Sequence, residues 1–214
     1  EPDPEDVTPQ QREYIERHWW ELERAVFGKS WLDTKRGYRS YIDMKSFIDQ
    51  HWLIEMSKNI DGFRYSVVFS KDRGGKVKLE PPWDWNLSFG NANYLDGDSP
   101  RGWYTEQLRD TEISWHRQFS EDPEYMKELT ERWWQLRKGP FATDTLMKRI
   151  DEMAALLNEA QARNFKRWRI MGDHVHPNAF VGDTYAEEIN YMKRWTRERL
   201  KWIDSQMPAA SAAR

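Results

Sequence analysis

The sequence predicts a mainly α-helical α+β fold. Three observations predict it. Five segments carry apolar residues at helical spacing behind marked helix starts, one central run is rich in aromatic and β-branched residues around a glycine turn, and no internal repeat or low-complexity run interrupts the 214 residues. The first helix opens at Thr8-Pro9-Gln10-Gln11, where an N-cap hydroxyl, a proline at the first helical position and a glutamine three residues on make a capping box. Ile15, Trp19, Leu22 and Val26 form its apolar stripe, and Gly28 ends it. Residues 37–42 read as a short extended connector. Asp43 caps a second helix, marked by Ile48, Trp52 and Glu55/Met56, that runs out near Asn59. From Phe63 the pattern becomes Phe-Arg-Tyr-Ser-Val-Val-Phe-Ser, then Asp72-Arg-Gly-Gly75, then Lys-Val-Lys-Leu before Pro81-Pro82, a β-hairpin with its turn near residues 72 and 73. Residues 91–102 hold almost nothing apolar and read as a long irregular loop, of the kind that often serves function.

The segment 112–119 is less strongly patterned. Asp122-Pro123 then opens a helix with Met126, Leu129, Trp133 and Leu136, closed by Gly139-Pro140. Thr143 caps the next, whose stripe of Leu146, Ile150, Met153 and Leu157 continues past Phe165 to about Met171. Thr184-Tyr-Ala-Glu187 is a second capping box, followed by Ile189, Met192, Thr196, Arg199/Leu200 and Ile203. Residues 1–207 are expected to form one unit, and 208–214, small residues without period, a disordered tail or linker.

Composition narrows the function classes. Lys and Arg number 33 and Asp and Glu 36, a net charge of −3, which gives no general attraction to phosphate backbones. No stretch approaches the roughly 18 apolar residues of a membrane span, so neither nucleic acid nor membrane is an expected partner. Thirteen tryptophans supply enough apolar area for a real core in spite of 32 % charged residues. The chain has no cysteine, which excludes disulfides and thiolate metal sites and leaves the compartment open. No signal peptide is visible, and the first residues, Glu-Pro-Asp-Pro-Glu-Asp, suggest a fragment or a processed chain.

Asp61 and Asp84 lie almost equidistant from the predicted hairpin turn. Residues opposite one another in an antiparallel pair have Cα atoms roughly 4.5–5.5 Å apart, so the two carboxylates could converge on one cation or one reacting group. Two such charges repel unless a metal or a proton lies between them. The plainer alternative is that Asp61 caps one turn and Asp84 starts another, as Asp commonly does. Asp84 and Asn86 also offer two oxygen ligands on alternate residues.

The segment Ser46-Phe-Ile-Asp-Gln-His-Trp-Leu-Ile-Glu-Met-Ser-Lys-Asn-Ile-Asp61-Gly-Phe-Arg-Tyr-Ser, with Phe69-Ser-Lys-Asp-Arg-Gly-Gly-Lys76 and Pro82-Trp-Asp84-Trp-Asn-Leu-Ser-Phe-Gly-Asn91, resembles the CotH family of spore-coat and secreted-protein kinases. The resemblance extends from about Trp19 to Asp204, and its specific part is 59–90. It implies the large, C-terminal lobe of a protein-kinase-like fold with a central hairpin, and an atypical kinase that moves the γ-phosphoryl group of ATP to a Ser or Thr hydroxyl of a protein substrate. Asp61 matches the catalytic-loop aspartate, and Asp84 the aspartate that binds Mg²⁺ or Mn²⁺, with Asn86 as auxiliary ligand. Ser66 stands where a kinase-like catalytic loop tends to carry a cofactor-contacting asparagine, and Asn86 where the family often has a second aspartate. The small lobe that covers ATP is expected upstream of this chain, as its partner, and the fragment alone is expected to be inactive. The resemblance further implies a bacterial spore-coat, secreted or cell-surface location. The alternative is a non-catalytic kinase-like module used for binding, favoured if Asp61 or Asp84 is salt-bridged to Arg64 or Arg101.

Other candidates are weaker. Asp173-His174-Val-His176, with Asp183, could offer imidazoles to a metal, but surface histidines in a loop explain it as well. The oxygen-rich loop 91–98 lacks the spacing of an EF-hand. Glu55 could serve a glycosidase only with a partner carboxylate that the spacing does not demand. Trp19, Trp52 and Trp133 read as core, whereas Trp83, Trp85 and Trp103 flank the site as wall or platform. The Lys/Arg clusters at 163–169 and 193–201 read as solvated helix faces.

Overall fold

Thr8 Oγ1 accepts a hydrogen bond from the Gln11 backbone N–H while Gln11 Oε1 accepts one from the Thr8 N–H, and helix α1, Pro9–Phe27, runs from this box to Gly28. The computed structural model describes residues 2–209, and the side chains of all of these except 110–114. After a short 3₁₀ turn at Tyr38–Ser40, Asp43 caps α2, Met44–Ser57, through the Ser46 N–H. The hairpin follows as β1, Phe69–Ser70, and β2, Lys78–Leu79. Then come α3, Asp110–Ser120; α4, Pro123–Arg137; α5, Thr143–Leu156; α6, Asn158–Arg167; and α7, Tyr185–Gln206. The fold is α+β and mainly helical, with one two-stranded antiparallel sheet among the described residues.

Helix α2 is the axis of the structure. It buries Phe47, Ile48, Trp52, Ile54, Glu55 and Met56, which point to more than one side, as expected of a helix surrounded by protein. One core joins it to Leu22 and Val26 of α1, Leu79 of the hairpin, Leu129 and Trp133 of α4, and Leu200 and Ile203 of α7. A smaller core of Ile54, Ile60, Phe63, Ala92, Tyr104 and Leu108 lies under the connecting segments and supports the loop 91–102. Trp52 and Trp133 are buried ring against ring at 4.7 Å, and Trp19 is half-buried against Trp115 at 5.3 Å.

Three expectations are corrected. The strands are two residues long, because the backbone after Asp61 curls into a turn in which the N–H groups of Arg64, Tyr65 and Ser66 all donate to the Asp61 carbonyl, which removes 61–66 from any ladder. The long helix expected from Thr143 to Met171 breaks at Leu157, whose N–H closes back on α5, and Thr143 is the first helical residue, not the cap. The stripe on α5 is only shallowly covered, since Met153 and Leu157 remain half exposed. The tail expected at 208–214 lies, from 210 onward, outside the described residues.

Candidate active site

Helix α2 ends where Lys58 takes a left-handed conformation, φ 47°, with its N–H bonded to the carbonyls of Ile54 and Glu55. The next residues do not wander, because two backbone hydrogen bonds stitch them to the segment after the hairpin. Ile60 N–H donates to the Leu87 carbonyl at 3.2 Å, and Phe89 N–H to the Ser57 carbonyl at 2.7 Å. The Trp85 indole donates to Ser57 Oγ at 2.8 Å, so Trp85 is a wall of this junction.

Asn59, buried at the centre, ties the two aspartates' backbones together. Its Oδ1 accepts from the Asp61 N–H at 3.2 Å, and its Nδ2 donates to the Asp84 carbonyl at 3.1 Å. The sequence argument from the hairpin is therefore corrected in its reason. The register Phe69↔Leu79 centres on Gly74, and no ladder extends to Asp61 or Asp84. A side-chain amide makes the connection instead.

The two carboxylates have different surroundings. Asp61 is 20 % exposed and its Oδ1 lies 3.4 Å from Arg64 Nη2. Asp84 holds a left-handed φ of 58°, is exposed, and among the described residues has no hydrogen-bond partner for its carboxylate. Asn86 is exposed too, with its carbonyl held by Asn91 Nδ2 at 2.9 Å and its amide side chain unengaged among the described residues. Ser66 is buried, bound to the Asp61 carbonyl through its backbone N–H. The Tyr94 phenol is pushed up by burial and then by the Asp61 charge.

That loop is irregular in backbone and firmly held. Arg199, fully buried on α7, donates to the Glu55 carbonyl from Nε and Nη2, to Glu55 Oε2 from Nη2 at 2.9 Å, and to the carbonyls of Pro100 and Gly102 from Nη1. Glu55 in turn accepts the backbone N–H groups of Tyr104 and Thr105. Lys58 Nζ reaches Asp96 Oδ2 at 2.9 Å and the carbonyls of Ser99 and Arg101. Burial pushes the Lys58 ammonium down and Asp96 opposes it. Sequence reading missed Lys58, Asn59 and Arg199. The Asp96 carboxylate is thus occupied by Lys58, and no group of three acidic or histidine side chains that could hold a metal exists among the described residues, around His174 and His176 included. Glu55 is a structural anchor.

Gly90 shows why the motif ends in glycine. It sits at φ +85°, and a Cβ there would fall 2.5 Å from Trp195 Cδ1 and 2.7 Å from Tyr191 Oη. Tyr191 Oη donates to the Gly90 carbonyl and the Trp195 indole to that of Asp98, so α7 grips both ends of the segment. Gly90→Ala is expected to cost about 2–4 kcal/mol from strain and overpacking together, read as a lower urea midpoint; an unchanged midpoint would contradict the close approach.

A family model described as CotH kinase protein matches residues 1–203. The chain belongs to the CotH kinase family. No curated protein and no solved structure matches the chain. The CotH match covers most of the helical frame as well as the 59–90 segment. That family is kinase-like and associated with spore coats. Within the CotH chain no helix among the described residues is long and apolar enough to cross a membrane.

Proposed function

We propose that this CotH chain is the large lobe of an atypical protein kinase, with Asp61 at the attacking hydroxyl and Asp84, helped by Asn86, on a divalent cation. The observation that carries the reading is the Asn59 bridge, which couples the backbone at Asp61 to that at Asp84. The donor set suits the cation. Mg²⁺ at phosphate sites keeps several waters and needs only one or two protein oxygens, and Asp84 and Asn86 are exposed, hard oxygen donors. Phosphate oxygens of the nucleotide and water would complete the cation's coordination. Bound there, Mg²⁺ or Mn²⁺ would neutralise charge on those oxygens.

The protein's own part is positioning. A Ser or Thr hydroxyl of a protein substrate is held by the Asp61 carboxylate, which takes its proton as the hydroxyl oxygen bonds to the γ-phosphorus of ATP and the bond to the β-phosphate oxygen breaks, releasing ADP. Arg64, beside Asp61, keeps that carboxylate oriented. The loop 91–102, anchored by Arg199 and Lys58, forms a fixed edge with Tyr94 near the hydroxyl. Nucleotide coverage is assigned to an upstream small lobe, which makes the chain by itself inactive, and the spore coat or cell surface is its place of work.

A second reading has its own observation. The Asp61–Arg64 ion pair and the neutral Asn86 suit a kinase-shaped module retained for binding. Calorimetric titration of Mg²⁺ and Mn²⁺ with ATP, into this chain and into one that carries the upstream lobe, separates the two. Binding only in the longer chain, lost by at least tenfold in Asp84→Ala with the thermal midpoint unchanged, supports the kinase. No metal–nucleotide binding in either chain leaves the binding module.

A further inference from the structure

None of the ten residues of α6 is buried. An isolated helix of that length is marginal in water, and burial within its own chain does little to hold this one. Apolar side chains flank it on both sides: Leu156 is 78 % exposed at the end of α5, and Trp168 is 55 % exposed just after α6, with Ile170 beyond it. Residues 160–172 carry four cations, Arg163, Lys166, Arg167 and Arg169, and no acidic residue. All four are exposed. Arg163 lies 3.6 Å from Glu159, whereas Lys166, Arg167 and Arg169 have no ion-pair partner among the described residues. The Arg167 guanidinium stands 4.2 Å from the centre of the Trp168 ring, so a charge and a ring are offered together.

The complementary chemistry is exposed on α1 and the segment before it. Asp3, Glu5, Asp6, Glu13, Glu16 and Glu21 are exposed there. The cations over residues 2–21 are Arg12 and Arg17, and Arg17 lies 3.9 Å from Glu13. Trp20 is 71 % exposed among these carboxylates. Ile15, Glu16, Trp19, Trp20 and Glu23 line a groove of 530 Å³. Indole faces beside a carboxylate suit a partner that brings a ring and a guanidinium together, as Arg167 and Trp168 do. The charges also choose the pairing. Two copies meeting α1 to α1 would oppose acid to acid, and α6 to α6 cation to cation, whereas α1 against α6 pairs opposite signs. A copy that receives its neighbour's α6 on its own α1 keeps its own α6 free for a third copy, so the contact is heterologous and can propagate.

We propose that copies of this chain associate head to tail, the acidic, indole-lined face of α1 on one copy receiving the cationic α6 and Trp168 of the next. The inference is independent of the phosphoryl-transfer reading. The test is sedimentation velocity on the full chain over a range of concentrations. The expected result at low salt is a species larger than the monomer that grows with concentration. Association should be at least tenfold weaker in about 1 M salt, where the screening length falls to about 3 Å. Lys166→Glu with Arg167→Glu, and separately Glu13→Lys with Glu16→Lys, should each weaken association at least tenfold with the fold intact by circular dichroism, because all four side chains are exposed. Mixing the two double variants should restore association, since one brings an intact α1 and the other an intact α6. That recovery separates a head-to-tail contact from a symmetric one, in which each helix meets its own kind. A monomer at every concentration, unchanged association in either double variant, or no recovery on mixing would each overturn the proposal. So would a monomer that binds vesicles of mixed neutral and anionic lipid through Lys166 and Arg167, a result that assigns α6 to a membrane surface instead.

Discussion

Arg199→Met is expected to lower the stability of the protein by about 3–5 kcal/mol, the range for breaking a buried pair on one side only. Both Arg199 and Glu55 have fully buried side chains. Removing the guanidinium leaves the Glu55 carboxylate with two backbone N–H donors and no compensating charge, in a place that water does not reach. It also releases the carbonyls of Pro100 and Gly102 and the Glu55 carbonyl at once. Burial has already pushed the Arg199 guanidinium down to about 10, with Glu55 opposing the shift, so the charge persists at pH 7 because its partner holds it. Urea denaturation measures the loss, and limited proteolysis should show new cleavage within 96–105. Arg199→Lys should not rescue, since an ammonium cannot serve the five contacts that the planar guanidinium makes. The double variant Glu55→Gln with Arg199→Met should recover part of the loss, because the orphaned charge is gone. A single-variant loss below about 1 kcal/mol would show that the network does not hold the loop.

Much of the frame was legible in the sequence because helix ends carry local chemistry. Thr8, Asp43, Asp122 and Thr184 each cap a helix through the side chain expected of them. Where packing decides, local chemistry failed. Leu157 interrupts α5 and α6 without a glycine or proline to announce it. The Asp61 turn shortens the hairpin by placing three N–H groups on one carbonyl, a feature without a residue-type signature. The buried ion pair did leave a trace. Glu55 falls with Trp52 and Met56 on the α2 stripe, and Arg199 falls between Thr196 and Ile203 on the α7 stripe, so opposite charges stand on two faces that each need a partner. Read as solvated, the basic cluster at 193–201 hid the one member that is wholly inside. Asp61 and Asp84 were read together from the hairpin spacing, whose ladder does not reach them, and from the family pattern, while Asn59, which joins their backbones, looks in sequence like an ordinary residue at a helix end.

Asp61→Asn is expected to reduce phosphoryl transfer by about 10²–10⁴-fold in a chain that carries the upstream lobe, the usual range for loss of a positioned general base. The amide is isosteric with the carboxylate, so the Asp61 backbone can keep its bonds to Asn59, Arg64, Tyr65 and Ser66 and the loop its shape. What is lost is the acceptor for the hydroxyl proton and the ion pair to Arg64. The Asp61–Arg64 contact is long, at 3.4 Å, and partly exposed, which puts its stability contribution at about 1 kcal/mol or less. The expected pattern is therefore a large fall in turnover with nucleotide affinity held within about threefold and a thermal midpoint that barely moves. Asp84→Ala should differ by losing nucleotide-dependent metal binding as well. The binding-module reading expects the reverse: no turnover to lose, and an effect of Asp61→Asn confined to the small stability change from the Arg64 pair. Turnover in Asp61→Asn equal to that of the unmodified protein would remove Asp61 from the reaction and leave the Asn59 bridge as a structural clamp.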